Sequence, residues 1–148
     1  MRKKQTEDYV EAIYQLIRKS GYARVSDISS MLRVQPPSVT EMLQKLAKEN
    51  LVIYERYKKV KLTPKGEKLA KEVIKKHETL KEFLRILGVD EKIAEKDACK
   101  IEHHVHPETM RRLTKFVEFV KNAPKSPKWL EHFRYFYETG KYPPCKEE

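Results

Sequence analysis

The sequence predicts a mainly helical protein with one small β-hairpin. Three observations support this: apolar residues recur at three- and four-residue spacing over most of the chain, alternation is confined to a short stretch, and glycines and prolines separate the helical segments. The 148 residues suffice for one domain or two small ones. No apolar run approaches the roughly 18 residues of a membrane span, and the start lacks the apolar stretch of a secretory signal. We therefore expect a soluble cytoplasmic protein with no membrane partner.

Positive charge is concentrated in the first half of the chain. The formal net charge is +10, and residues 1–75 hold 17 basic and 9 acidic side chains. A concentrated positive half points first to nucleic acid. A solvated, lysine-rich surface is the alternative until a motif supports binding. The two cysteines, Cys99 and Cys145, cannot build a disulfide framework and form no C-x-x-C pair.

The first three predicted helices form a helix-turn-helix pattern. Helix one is expected to start at a Thr6 cap and end near Ser20, and a short second helix to start at a Ser26 cap. The tandem prolines Pro36 and Pro37 disfavour a helix that precedes them but are accepted in the first turn of a helix that follows. The third helix is therefore expected to run from about Pro37 to Asn50. Two short helices joined by a tight turn, the second with a polar N-terminal face, are typical of DNA-binding units.

A predicted hairpin follows the helix-turn-helix. Residues 51–54 and 60–63 read as strands around a charged turn, which makes the unit a winged helix and double-stranded DNA its predicted partner. Base contacts are expected from the start of helix three, at Gln35, Pro36, Pro37, Ser38 and Glu41. Phosphate contacts are expected from Thr40, Lys45, Arg56, Lys58, Lys59 and Lys61.

The second half reads as helices alone. A long fourth helix starts at Pro64 behind a Thr63 cap, and a fifth runs from an Asp90 cap to about Val105. A sixth helix starts at Pro107, and a last aromatic helix spans residues 129–137.

We divide the chain into a winged-helix DNA-binding domain, residues 1–72, and a helical domain, residues 73–148. Phe83, Leu84, Leu87 and the faces of helices five and six offer apolar surface for dimerisation.

A candidate metal site lies on the fifth helix. Cys99, Glu102 and His103 stand at i, i+3 and i+4, on one helical face, and His106 follows at i+7. Thiolate, carboxylate and imidazole together suit a borderline transition metal. The alternative is that the carboxylate and imidazole are solvated and the cysteine is a small core residue. His106 is the weaker candidate, since it sits at a helix break where it could act as a cap.

Three further candidates are less specific. Asp8 and Glu11 stand at i, i+3 in helix one, where an acid in the first turn is favoured by the helix dipole alone. His77 lies among lysines late in the fourth helix, so by itself it is expected to be exposed.

Several ordered motifs resemble the diphtheria-toxin-repressor family, and more closely its manganese-transport-regulator branch. They are GYARVSDI at 21–28, LTPKG at 62–66, FLRILGVD at 83–90 and IEHH at 101–104, and the resemblance covers roughly residues 5–120. It implies a metal-dependent repressor that binds operator DNA as a dimer and controls metal homeostasis, with the helical domain, residues 73–148, binding metal and forming the homodimer. It implies a metal site formed by Asp8, Glu11, His77, Cys99, Glu102 and His103.

The implied site is a hybrid of two branches. Asp8 matches the manganese branch, which carries a glutamate at the position of Cys99. The cysteine matches the iron branch, which carries a methionine at the position of Asp8. The thiolate favours Fe(II), Co, Ni or Zn, whereas Asp8 and Glu11 favour Mn(II) or Fe(II). Fe(II), which suits both, is therefore favoured over Mn(II), with Co, Ni or Zn as substitutes. Lys81 and Glu95 stand where the iron branch has ancillary ligands, and no SH3-like third domain is expected.

Two alternatives stay open. One is a winged-helix regulator that responds to an organic ligand, with the group from Cys99 to His103 purely structural. The other, less favoured, is a helical metalloenzyme. The chain contains neither His-Glu-x-x-His nor Glu-x-x-His, the helical patterns typical of such enzymes, so we predict no enzymatic activity.

Overall fold

Seven helices and one two-stranded sheet make up residues 4–144, the part of the chain that this computed structural model describes. The winged helix comprises α1 (Lys4–Ser20), α2 (Val25–Leu32), α3 (Pro36–Lys48), β1 (Val52–Ile53) and β2 (Lys61–Leu62). The remaining elements are α4 (Pro64–Ile86), α5 (Glu91–Ile101), α6 (Pro107–Lys121) and α7 (Lys128–Thr139). The predicted fold class is confirmed. None of the described helices is long and apolar enough to cross a membrane.

The winged helix is built on one apolar core. Helix α1 contributes Val10 and Ile13, α2 contributes Ile28 and α3 contributes Leu43, all four fully buried. Strand β1 pairs antiparallel with β2 and places Val52 opposite Leu62. Burial of this apolar area provides the main stabilisation of the unit, and α1 is thereby fixed to the helix-turn-helix.

Two predicted caps are confirmed and two are wrong. Thr63 Oγ1 accepts a hydrogen bond from Gly66 N at 3.0 Å, and Asp90 accepts one from Lys92 N, as expected of N-caps. Thr6 instead lies buried inside α1, because that helix already begins at Lys4. Helix α2 begins at Val25 rather than after a Ser26 cap, since the Asp27 carboxylate accepts a bond from the backbone N–H of Arg24.

Glycine is required at the start of α4. A Cβ atom at Gly66 would overlap the carbonyl oxygen of Leu51, so only glycine lets the helix approach the chain before β1 this closely. The Thr63 hydroxyl also donates to the carbonyl of Asn50 at 2.7 Å. These contacts anchor α4 to the base of the wing.

The chain forms two compact units, divided between Val105 and His106. The first holds the winged helix with α4 and α5, and the second holds α6 and α7. The domain boundary predicted after residue 72 falls within the continuous helix α4 and stays a prediction. Cys145 lies outside the described residues, and Cys99 is a free thiol.

Candidate metal centre and DNA-binding face

Three helices of the first unit bring all six predicted metal-site residues together. Helix α1 supplies Asp8 and Glu11, and α4 supplies His77. Helix α5 and the turn that follows it supply the others. We call these six the metal-centre cluster: Asp8, Glu11, His77, Cys99, Glu102 and His103.

The end of α5 differs from the prediction. The helix stops at Ile101 instead of continuing to Val105, and the His104 N–H donates to the Ile101 carbonyl in a tight turn. Glu102 and His103 therefore stand at the start of a turn rather than within the helix. His106, the weaker candidate ligand, is instead the N-cap of α6, where its Nδ1 accepts a hydrogen bond from the N–H of Glu108 at 3.1 Å.

Glu102 occupies the middle of the metal-centre cluster and is only 3% exposed. Its Oε2 lies 2.8 Å from Nδ1 of His77, and its Oε1 lies 3.3 Å from Nε2 of His103. The alternative in which its carboxylate is solvated is wrong, because both of its oxygens face buried imidazoles. Glu102 is thus the side chain that joins the two histidines.

The His103 side chain is even more completely enclosed, at 1% exposure. Its Nε2 lies 3.0 Å from the Asp8 carboxylate but makes no aligned hydrogen bond with any residue in the range 4–144. A buried ring nitrogen without a partner is costly unless something else satisfies it. The donor atoms of Asp8, Glu102 and His103 all lie within 4.8 Å of one another, which matches a single ion with bonds of about 2.0–2.4 Å.

His77 forms the opposite side of the metal-centre cluster with Cys99. The expectation that His77 by itself is exposed is wrong: its face of α4 packs against α5, and the residue is 7% exposed. The Sγ atom of Cys99 lies 3.7 Å from Nδ1 of His77. Cys99 is partly open to solvent rather than a small core residue. Oxygen, nitrogen and sulfur donors thus converge on one place.

Crowded carboxylates shift the proton equilibria of this region. Burial, and then the neighbouring Glu102 charge, raise the pKa of Glu11 to about 7. Burial also raises the pKa of Asp8 and, with help from Glu102, raises that of the Cys99 thiol to about 11. Hydrogen bonding to Glu102 raises the pKa of His77 to about 9. The chain alone therefore balances its like charges by holding protons, and a divalent cation suits this donor set.

The sequence interpretation missed two carboxylates that touch the metal-centre cluster. Glu7 Oε1 lies 3.2 Å from Nδ1 of His103, and Glu95 Oε1 lies 2.8 Å from Nε2 of His77. The spacing from Glu95 to Cys99 is i, i+4 on one helical face, which was an available signal. For Glu7 the only signal was an acid in a first helical turn, which the helix dipole already explains.

The start of α3 and the wing together line a groove that includes several of the expected DNA contacts. Pro36 and Thr40 of α3, together with Arg56 and Lys58 of the wing, line this groove of about 700 Å³. A second groove of about 500 Å³ borders the wing and includes Lys59 and Lys61. The other predicted contacts are exposed on or just before α3: Gln35, Pro37, Ser38, Glu41 and Lys45.

Arg24 is a further cation at these grooves that the sequence interpretation did not include. It lines both grooves, and its guanidinium lies 5.0 Å from the ring centre of Tyr22. Lys59 approaches the same ring at 4.9 Å. Cations held on an aromatic face and in open grooves suit the phosphates of a nucleic acid.

A winged helix joined to an oxygen-, nitrogen- and sulfur-bearing cluster defines a metal-responsive DNA-binding protein. Two family models match the chain: the N-terminal DNA-binding domain of iron-dependent repressors over residues 1–60, and the metal-binding and dimerisation domain of iron-dependent repressors over residues 63–131. The chain belongs to the iron-dependent repressor family. It is accordingly a metal-dependent, DNA-binding transcriptional repressor and not an enzyme.

Individual relatives agree with this assignment. The HTH-type transcriptional regulator MntR of Lysinibacillus sphaericus is 47% identical over 84% of this chain and 90% of its own length. MntR of Bacillus subtilis is 49% identical over 76% of this chain and 80% of its own length. The solved manganese regulator SloR superposes with a TM-score of 0.67 at 32% identity, over 80% of this chain and 56% of that one. The chain thus spans just over half the length of SloR.

Proposed function

We propose that this repressor binds operator DNA as a homodimer in the cytoplasm when the metal-centre cluster holds a divalent ion, and so controls metal homeostasis. One observation carries the proposal: α1 takes part in both the metal-centre cluster and the core of the winged helix. A metal ion bound at the metal-centre cluster can therefore change the position of α1 and, through it, the winged helix that binds DNA. An organic effector is not needed for this coupling.

One face of α1 packs in the core of the winged helix, and the other carries residues of the metal-centre cluster. Tyr9, Val10 and Ile13 pack into the core with α2 and α3, while Asp8 and Glu11 face the helices α4 and α5. A bound divalent ion would supply the positive charge that lets these carboxylates approach Glu102 without holding protons. The residues of the metal-centre cluster then hold α1 against α4 and α5, and this fixes the position of the winged helix. The ion acts through its different affinity for the two states of the protein.

Mn(II) is the metal we propose, with Fe(II) the alternative. The relative SloR is a manganese regulator, and carboxylates such as Asp8 and Glu11 suit hard ions. This reverses the order favoured from the sequence, in which Fe(II) came before Mn(II). Cys99 is the residue that argues for the softer ion, and Co, Ni and Zn stay possible substitutes.

The homodimer is proposed to use the helical half. Leu87, Ile93 and Ile101 of the first unit are large apolar side chains with 42%, 53% and 38% exposure. Phe83 and Leu84, also predicted to take part, are partly buried. The two winged helices of a dimer can bind DNA half-sites about one helical turn apart, or a multiple of it, only if the distance between the two winged helices is fixed.

Removal of metal is the direct test. We expect the purified protein to bind operator DNA in Mn(II) and to lose specific binding when a chelator is added, as measured by fluorescence anisotropy. Addition of excess Mn(II) should restore binding, which controls for denaturation. DNA binding that is indifferent to both chelator and added Mn(II) or Fe(II) would contradict the proposed metal switch.

Lys58 at the wing tip is expected to contact a phosphate. In the protein alone it pairs with Glu55 at 2.6 Å, but both side chains are well exposed, so DNA can replace this pair at little cost. The substitution K58A should weaken binding to all sequences alike and lower the salt slope by about one unit. Titrations of anisotropy against salt measure both quantities.

Lys121→Ala is the matched control for that experiment. It removes the same charge from the exposed end of α6, outside the DNA-binding half. We expect its salt slope to equal that of the unsubstituted protein. A K58A slope equal to that of the control would exclude the wing tip from the interface.

A further inference from the structure

The two histidines of the metal-centre cluster share a single arrangement. In His77, Nδ1 faces Glu102 and Cys99, while Nε2 lies 2.8 Å from Oε1 of Glu95 on the outer side. The other oxygen of Glu95 lies 3.1 Å from Nζ of Lys81. The imidazole is therefore held from behind by a carboxylate that is itself held by a lysine.

His103 repeats this arrangement with the opposite ring nitrogen. Its Nε2 faces Asp8 and Glu102, and its Nδ1 lies 3.2 Å from Oε1 of the buried Glu7. The other oxygen of Glu7 lies 3.9 Å from Nζ of Lys76. In both imidazoles one nitrogen is directed at the metal-centre cluster and the other at an outer carboxylate.

We propose that Glu7 and Glu95 are positioning residues, which hold the proton of each imidazole on its outer nitrogen and leave the inner nitrogen as the metal ligand. This inference rests on the proposed function, because it takes His77 and His103 to be ligands. A carboxylate behind a ligating histidine fixes the ring orientation and the tautomer and makes the inner nitrogen a better donor. The lysines hold the carboxylates in turn.

The contacts of Glu95 argue that it positions His77 rather than ligating an ion itself. Glu95, His77 and Cys99 could by distance alone hold a metal. However, Nζ of Lys81 already neutralises the outer oxygen of Glu95, and the inner oxygen accepts from the imidazole. A metal ion bound directly to Glu95 would be repelled by the ammonium group of Lys81. We therefore assign Glu95 to a position behind His77 and not to the ligands of the metal.

Substitution of Glu95 tests the inference in a folded protein. The side chain is 47% exposed, so E95A should leave no core cavity. We expect E95A to weaken Mn(II) binding by about 10- to 100-fold, measured by the electron paramagnetic resonance signal of free Mn(II). E95Q keeps an oxygen that accepts from Nε2 and should recover most of the loss. D97N, an exposed acid on the same helix, is the control and should bind as the unsubstituted protein does.

The imidazole tautomer provides a readout that a merely structural role would not change. In protein loaded with diamagnetic Zn(II), nitrogen-15 spectra should show His77 with its proton on Nε2 in slow exchange with water. In E95A this proton should exchange fast, while the thermal unfolding of the metal-free protein changes little. E7A tests His103 in the same way, with its proton on Nδ1, and E7Q, which keeps an accepting oxygen, should retain the slow exchange.

H77A separates this inference from the proposed function. If H77A leaves Mn(II) affinity unchanged, His77 is not a ligand and the proposed metal centre is wrong. If H77A lowers the affinity but E95A changes neither the affinity nor the Nε2 proton, the positioning role is overturned and the metal centre stands. If both H77A and E95A lose Mn(II) affinity and E95Q recovers it, the positioning role of Glu95 is supported.

Discussion

Glu102→Gln is expected to abolish metal-dependent DNA binding while it preserves the fold. The amide has the size of the carboxylate, so the buried position stays filled, but the negative charge between His77 and His103 is lost. Because the residue faces both sides of the metal-centre cluster, its loss should reduce Mn(II) affinity by more than the roughly 10- to 100-fold typical of an outer carboxylate. Mn(II) titration and operator anisotropy measure the two effects.

Circular dichroism of the metal-free protein serves as the folding control for E102Q, and the D97N variant serves as the matched loss of an acid from α5. Both should match the unsubstituted protein in helicity. An E102Q protein that still gains DNA binding on addition of Mn(II) would show that the buried carboxylate is not part of the metal centre.

Cys99→Glu is expected to change the metal preference rather than remove metal binding. A carboxylate at this position replaces the softest donor with a hard one, and it no longer requires a thiol whose pKa is raised to about 11 to give up its proton. We expect the ratio of Mn(II) to Co(II) affinity to rise at least about tenfold, which corresponds to about 1.4 kcal/mol. Competition titrations measure this ratio.

A spectroscopic signature and a control accompany the C99E experiment. The Co(II)-loaded protein should show a thiolate charge-transfer band in the near ultraviolet that C99E lacks. C99S removes the sulfur without adding a carboxylate, so it should lose the band without gaining Mn(II) affinity. An unchanged affinity ratio in C99E would show that Cys99 is not a ligand.

Local patterns predicted the DNA-binding half well. The tandem prolines that begin α3, the Thr63 cap and the alternation around residues 51–63 are signals between near neighbours in sequence, and the structure contains the elements they predict. Both errors are of position: Thr6 is buried as the third residue of α1, and Ser26 is the second residue of α2, where the Asp27 carboxylate accepts from the backbone N–H of Arg24.

The metal-centre cluster was only partly predictable from local spacing. Cys99, Glu102 and His103 stood out because they share one helical face. Asp8, Glu11 and His77 were identified through the family resemblance, since each has an ordinary explanation by itself. His77 among lysines reads as a solvated residue, and only the packing of α4 on α5 buries it.

The sequence by itself determined the helical order, the wing, the basic first half and the types of donor available for a metal. The tertiary structure alone decided that His77 is buried against α5, and that Glu7 and Glu95 stand behind the two imidazoles. The physical reason is the range of the interactions. Caps and periodicity act within a few residues, whereas the contact between Glu7 and His103 joins residues 96 positions apart and exists only when α1, α4 and α5 pack together.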